Sequence, residues 1–262
     1  MNQWSRTRKR IILSIIILTI LVLVGVPGYF LFYKAPTCFD GKLNGDETGV
    51  DCGGSCQLLC KAESLPLILK GDPRILSIAS GTFEVVALAE NPNNNAEIYK
   101  AGYIIKLYDG ESAIPVKEIE GETYAPAASN FAVFEGPFTL ETGAIPKRAT
   151  LDWKEELFVW QKNPIETPNL EVKRSAMSLE DSTPRLEAEI ENLSLQKASN
   201  IDLVVLIYDI DGNIFAASKT FIDAIAPGEA ALAVFTWPEP FNREVVSTEI
   251  ITRIFPDRSF IR

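Results

Sequence analysis

From Ile11 to Tyr33 the chain runs 23 positions without a charged residue, and beyond Glu63 it changes to short apolar runs broken by Pro, Gly, Asn and Asp. At about 1.5 Å per residue the first stretch makes a helix of about 34 Å, enough to cross a hydrocarbon core of about 30 Å. It is too long for the apolar run of a cleaved signal sequence, and it ends in Tyr29, Phe30, Phe32 and Tyr33, an interfacial aromatic belt. Ala35-Pro36-Thr37 ahead of Cys38 lacks the aliphatic and small residues of a lipoprotein box. An uncleaved transmembrane helix over 11–33 is therefore expected, with Pro27 placed to kink it near its outer end. Arg6, Arg8, Lys9 and Arg10 precede the span and only Lys34 directly follows it, so the positive-inside rule makes residues 1–10 a cytoplasmic tail. The remainder lies outside the cell membrane as a single-pass, extracytoplasmic region.

The later pattern predicts strands. Arg185 to Glu191 alternates strictly, which puts Leu186, Ala188 and Ile190 on one face and the charges on the other. Ile201 to Tyr208 is apolar on nearly both faces, as expected for a central strand of a sandwich. No long helical period interrupts these runs, and the ectodomain is predicted to be all-β.

Offsetting the two halves by about a hundred residues reveals an internal repeat. Glu90-Asn91 aligns with Glu191-Asn192, and Leu107-Tyr108-Asp109-Gly110 with Ile207-Tyr208-Asp209 and Gly212. Ala132-Val133-Phe134 aligns with Ala233-Val234-Phe235, and Pro137-Phe138 with Pro240-Phe241. Two tandem immunoglobulin-like β-sandwiches are expected, residues 62–162 and 168–262, each able to fold by itself. A stiff linker with two prolines, residues 163–167 with Pro168 following, joins them.

Between anchor and strands lies a short cysteine-rich stalk, residues 36–61, holding Cys38, Cys52, Cys56 and Cys60. Outside the membrane thiols oxidise, so two disulfides are expected, with three pairings open. A zinc site is the rival, but the spacing lacks the paired C-x2-C knuckles and the chain has no His. Between the first two cysteines, oxygen-bearing side chains alternate with glycines. Asp40, Asn44, Asp46 and Asp51 are candidate calcium ligands, since calcium takes six to eight oxygens and glycines allow the turns that gather them. The spacing is not that of an EF-hand, and the same residues also suit a solvated, turn-rich linker.

The string C-x-D-G-x-x-N-G-D-E-x-G-V-D-C-G-G-x-C-x3-C, Cys38 to Cys60, resembles a cysteine-rich motif of predicted bacterial surface proteins, often found beside repeats thought to bind calcium. The repeats resemble the bacterial FxLYD and plant LEA14-like β-sandwich families. Ile105 to Asp109 and Val205 to Asp209 keep the Tyr-Asp of that pattern and depart from it before the Tyr. The resemblance implies a fold, not a chemistry.

Charge narrows the partners. The whole chain carries −10 and its first 34 residues contain five bases and no acid, so residues 35–262 carry −15 formal charges. Such a surface repels phosphate backbones, and no nucleic-acid partner is expected. No catalytic motif is present, and without His the commonest general base is missing. The acid pairs Glu155-Glu156 and Glu180-Asp181 read more simply as solvated surface, and Trp153, Trp160 and Trp237 as packing residues. Tyr108, Asp109, Tyr208 and Asp209 are read as structural rather than as a binding edge. Asn192-Leu193-Ser194 is a glycosylation sequon only in a eukaryotic host. The expected role is a non-enzymatic interaction or adhesion module for a protein or cell-envelope partner. Two other readings are a subunit or assembly factor of a larger envelope complex, and an envelope-polymer hydrolase.

Overall fold

The computed structural model describes residues 3–32, 37–110, 113–140, 144–162, 168–179 and 183–256, with side chains described for 8–27 of the first segment. Tyr33, Lys34, Ala35, Pro36, the 163–167 linker and the Glu180-Asp181 pair lie outside the described residues, as do the side chains of Arg6, Tyr29, Phe30 and Phe32. Two compact units form, Met1–Cys56 and Gln57–Arg262.

In the first unit, α1 (Gln3–Phe32) begins before the apolar run and continues through Pro27. Within it, Arg8–Pro27 is long and apolar enough to cross a membrane, and none of it is buried. Residues 37–56 contain turns and one short bridge, Gly49 to Cys52, with no extended strand. Gly54 has φ +52°, and a Cβ there would lie 1.9 Å from the Asp46 carbonyl oxygen, so the turn requires glycine.

Among the described residues, the second unit is all β apart from two 3-10 turns. The first repeat contributes β1 (Ile68–Leu69), β2 (Arg74–Ala79), β3 (Thr82–Asn91), β4 (Ala96–Tyr108), β5 (Lys117–Ala125), β6 (Ser129–Thr139), β7 (Arg148–Trp153) and β8 (Trp160–Lys162). The second contributes β9 (Leu170–Ser178), β10 (Arg185–Asn192), β11 (Ala198–Tyr208), β12 (Ile214–Ile225), β13 (Ala230–Thr236) and β14 (Ser247–Ile254). All ladders are antiparallel. Sheet I places β4 between β5 and β7, with β8 also on β4; in sheet II, β3 pairs with β1, β2 and β6. Sheet III has the order β12-β11-β14 and sheet IV the order β13-β10-β9.

Period-two alternation builds one core inside each sandwich. Val85, Ala87, Phe131 and Val133 of sheet II meet Ile98, Tyr103, Ile105 and Leu107 of sheet I. Leu186, Ala188, Ile190 and Phe235 of sheet IV meet Ile201, Leu203, Val205 and Ile207 of sheet III. The opposite faces of sheets II and III form a third buried layer, where Leu76, Val86 and Ala132 pack with Val204, Leu206 and Ala217. The four sheets thus stack in the order I, II, III, IV. This corrects the reason for the apolar character of β11: its second face is covered by the neighbouring sandwich.

The repeat is geometric as well. Asn91 and Asn192 are both fully buried. Asn91 Nδ2 donates to the carbonyls of Ala96 (2.8 Å) and Ala125 (3.2 Å), and Asn192 Nδ2 to those of Gln196 (2.8 Å) and Ile225 (3.0 Å). Each side-chain oxygen accepts the N–H two residues on, from Asn93 and Ser194. Each asparagine therefore ties the loop that crosses between the two sheets of its sandwich to the opposite sheet, which leaves Asn192 inaccessible to glycosylation in the folded chain.

One alignment of the repeat is out of register. Val133 pairs with Ala87 and Ala233 with Ala188, both pairs facing the cores. Val133 is thus equivalent to Ala233, one residue off the Ala-Val-Phe match, and a slip of one turns every side chain to the other face. Phe138 lies within β6, whereas Phe241 follows β13, so these two are not equivalent either.

Candidate functional site

Where the two sandwiches meet, the apolar layer of sheets II and III is joined by a polar clamp from sheet III to β5 of sheet I and by an open cleft. Arg253, on β14, is 8% exposed. Its Nη1 donates to Thr123 Oγ1 (2.8 Å) and to the Tyr124 carbonyl (3.0 Å), both on β5 of the first repeat. Its Nη2 lies 3.8 Å from Asp202 Oδ2, and Lys219 Nζ approaches the same oxygen at 2.7 Å. The guanidinium lies 4.6 Å from the Phe255 ring centre. Burial lowers its pKa to about 10, opposed by the Asp202 charge. Arg253 is therefore a hydrogen-bonded link between the sandwiches, though its Nε is buried without a partner.

Beside the clamp, Tyr124 donates to Glu97 (2.5 Å), and burial raises the Glu97 pKa against the hydrogen bonds from Tyr124 and Tyr99. Glu84, on β3, pairs with Leu76 and shares its face toward sheet III. Its Oε2 is buried without a partner, and burial raises its pKa to about 7.

At the edge of the interface, Leu76, Ser77 and Ile78 of β2 face Phe215 and Ala216 of β12, Trp237 and residues 239–242 across a cleft of about 220 Å³. Trp237 Nε1 donates to the Ala217 carbonyl at 2.8 Å, which fixes the indole. Phe241 stands edge-on to both Trp237 (5.1 Å) and Phe215 (5.4 Å). Glu239 is exposed and is the only charged side chain lining the cleft among the described residues. Nearby Arg243 is engaged by Asp209, at 2.6 Å. Sequence reasoning placed Trp237 as packing, which it is, but missed the cleft, because the cleft exists only where the two repeats meet.

The other candidates fall elsewhere. Cys38 and Cys56 form a disulfide, with Cα atoms 5.6 Å apart; Cys52 and Cys60 are disulfide-bonded too, and no cysteine is free. Thiolate ligation of zinc is thereby removed. Cys38, Glu47 and Cys56 do cluster, but the two sulfurs are bonded to each other. Among the proposed calcium ligands, Asp51 accepts the N–H groups of Asp40 (3.0 Å) and Gly41 (2.9 Å). Asp40 accepts those of Lys42 (3.0 Å) and the Asn44 amide (3.0 Å), and Asp46 accepts the Ser55 hydroxyl (2.8 Å). The structure brings these side chains into one loop, where the carboxylates of Asp40, Asp46 and Asp51 accept hydrogen bonds and Asn44 Oδ1 is buried without a partner.

In the Tyr-Asp motif of the second repeat, Tyr208 donates to Glu249 (2.6 Å), and burial is the largest cause of its raised pKa. Asp209 accepts the N–H groups of Asp211 (3.1 Å) and Asn213 (2.9 Å). Those bonds make Asp209 a turn residue, and the Asn213 bond chiefly holds its pKa below the usual range. Glu155 and Glu156 are exposed on a 3-10 turn.

No family model and no curated relative matches the chain. Among solved structures it is similar to a Bacteroides uniformis beta-glucuronidase 2 covalently bound to cyclophellitol-6-carboxylate aziridine (15% identity) and to a second Bacteroides uniformis beta-glucuronidase (18%). It is also similar to red sea bream transglutaminase (12%). The matches cover 67%, 67% and 71% of this chain but 25%, 25% and 31% of those proteins, with TM-scores of 0.24, 0.24 and 0.23. The chain spans only a minor part of each, and at this similarity nothing about activity transfers.

Proposed function

We propose that this is a single-pass membrane protein whose extracytoplasmic region is a non-enzymatic interaction module for a protein or cell-envelope partner. The observation that carries the reading is the exposed apolar stretch Arg8–Pro27 followed by an all-β unit. A helix apolar all round has no stable place in water, whereas a bilayer accepts it. The basic residues before it assign the tail to the cytoplasm, and the disulfides suit an oxidising compartment outside. The two packed sandwiches are read as immunoglobulin-like, as the FxLYD resemblance implies; in support, each encloses its core between two antiparallel sheets.

Protease added to intact cells should remove the β unit and spare a tag at residue 1, while the full chain extracted in mild detergent should retain a cross-linked partner. Recovery of the intact chain in the soluble fraction, or protection of the β unit in sealed cells, would contradict the reading.

A further inference from the structure

We propose that the cleft between β2 and the 237–242 segment receives an arginine side chain of a basic partner protein. The inference rests on the interaction-module reading and names the chemistry of its partner. At about 220 Å³ the cleft is smaller than the roughly 300–1,000 Å³ of small-molecule pockets, and so fits one long side chain better than a free ligand. Its wall holds Phe215 and Phe241, both partly exposed, over an indole fixed by its own hydrogen bond. Aromatic faces attract cations, and guanidinium adds planar stacking and a fork of donors. Ser77, Asn242 and Glu239 offer the oxygens such a fork needs, and Glu239 supplies the charge. The adjacent cation, Arg243, is engaged by Asp209 and does not neutralise Glu239. Residues 35–262 carry −15 formal charges, a field that gathers basic partners and repels acidic ones.

The test uses the full chain in detergent, titrated with the peptide Gly-Gly-Arg-Gly-Gly and with its uncharged citrulline counterpart, followed by the amide NMR signals of Ser77 and Asn242. The arginine peptide should shift these signals in a saturable way and the citrulline peptide should not. Glu239→Gln, at an exposed position, should weaken the arginine peptide about two- to fivefold, and Phe241→Leu should weaken it while leaving the chain folded. Equal response to both peptides, shifts confined to the acidic outer strands around Glu118 to Glu122, or full affinity in Glu239→Gln would each overturn the proposal. A partner captured through another face would leave the interaction-module reading standing while this assignment falls.

Discussion

Leu206 lies on β11 with its side chain directed away from the second core and into the layer shared with the first sandwich, where it is 0% exposed. Leu206→Ala removes three carbon groups from that layer. At about 0.8 kcal/mol per buried group, transfer alone costs roughly 2.4 kcal/mol, and the cavity left between two packed sheets brings the total into the range of about 2–5 kcal/mol. Leu232→Ala is the matched control. Leu232 is 59% exposed on sheet IV, so its truncation should change stability by no more than about 0.5 kcal/mol. Urea unfolding of the full chain in detergent, followed by tryptophan fluorescence, reports on both sandwiches, since Trp160 lies in the first core and Trp237 in the second. Equal costs for the two substitutions would show that the outer face of β11 is not covered, and would refute the four-sheet stack.

Other outcomes follow from the same contacts. Asn192→Ala leaves the Ile225 carbonyl and the N–H of Ser194 without the asparagine, while the Gln196 carbonyl keeps the Ser194 hydroxyl at 3.0 Å, a loss of about 1–3 kcal/mol in the same unfolding assay. Glu84 has a folded pKa of about 7, raised above the ordinary value by burial, so its contribution to stability is fully present below about pH 4.5 and is lost as pH rises through 7. With the partial solvent contact of this side chain allowed for, the loss is on the order of 1–2 kcal/mol, and Glu84→Gln should remove it from the difference between urea midpoints at pH 5 and pH 8. Reduction of the disulfides should make residues 37–56 sensitive to protease, because that segment has no apolar core to hold it; unchanged cleavage would show that the turns alone hold the loop.

Strand β10 was fully legible in the sequence, because one of its faces meets solvent and the other a core, and strict alternation records that. Strand β11 was legible as a strand but not in its surroundings: Val204 and Leu206 are apolar because a second sandwich covers them, and a single-sequence pattern cannot say what does the covering. The equivalent positions on β4, Ile104 and Lys106, belong to an uncovered face, and Lys106 pairs there with Asp152. The charges of Glu187, Glu189 and Glu191 mark the free face of sheet IV in the same way. Polar free faces therefore end the stack at two sandwiches. The buried asparagines stood out at matching places in the repeat because both solve one problem, satisfying the carbonyls of two chain segments where the chain crosses from one sheet to the other. The Ala-Val-Phe match misled by one residue, because similarity of letters outweighed the period-two requirement that fixes which residues face inward. Cysteine oxidation followed from compartment, but pairing depends on loop geometry that spacing does not encode. The cleft and the Arg253 clamp were invisible, since Thr123 and Arg253 are 130 positions apart and meet only through the packing of sheets.

The most direct measurement is to cut the chain between the repeats. A protease site placed within residues 163–167 of the full chain, cleaved in detergent, leaves two fragments held only by the shared apolar layer, the Arg253 hydrogen bonds and the remaining contacts of that interface. Size-exclusion chromatography should then recover both fragments in one peak at micromolar concentration, unfolding in a single urea transition. Two separate peaks, each unfolding in its own transition at the position of the uncut protein, would contradict the claim that the sandwiches form one unit.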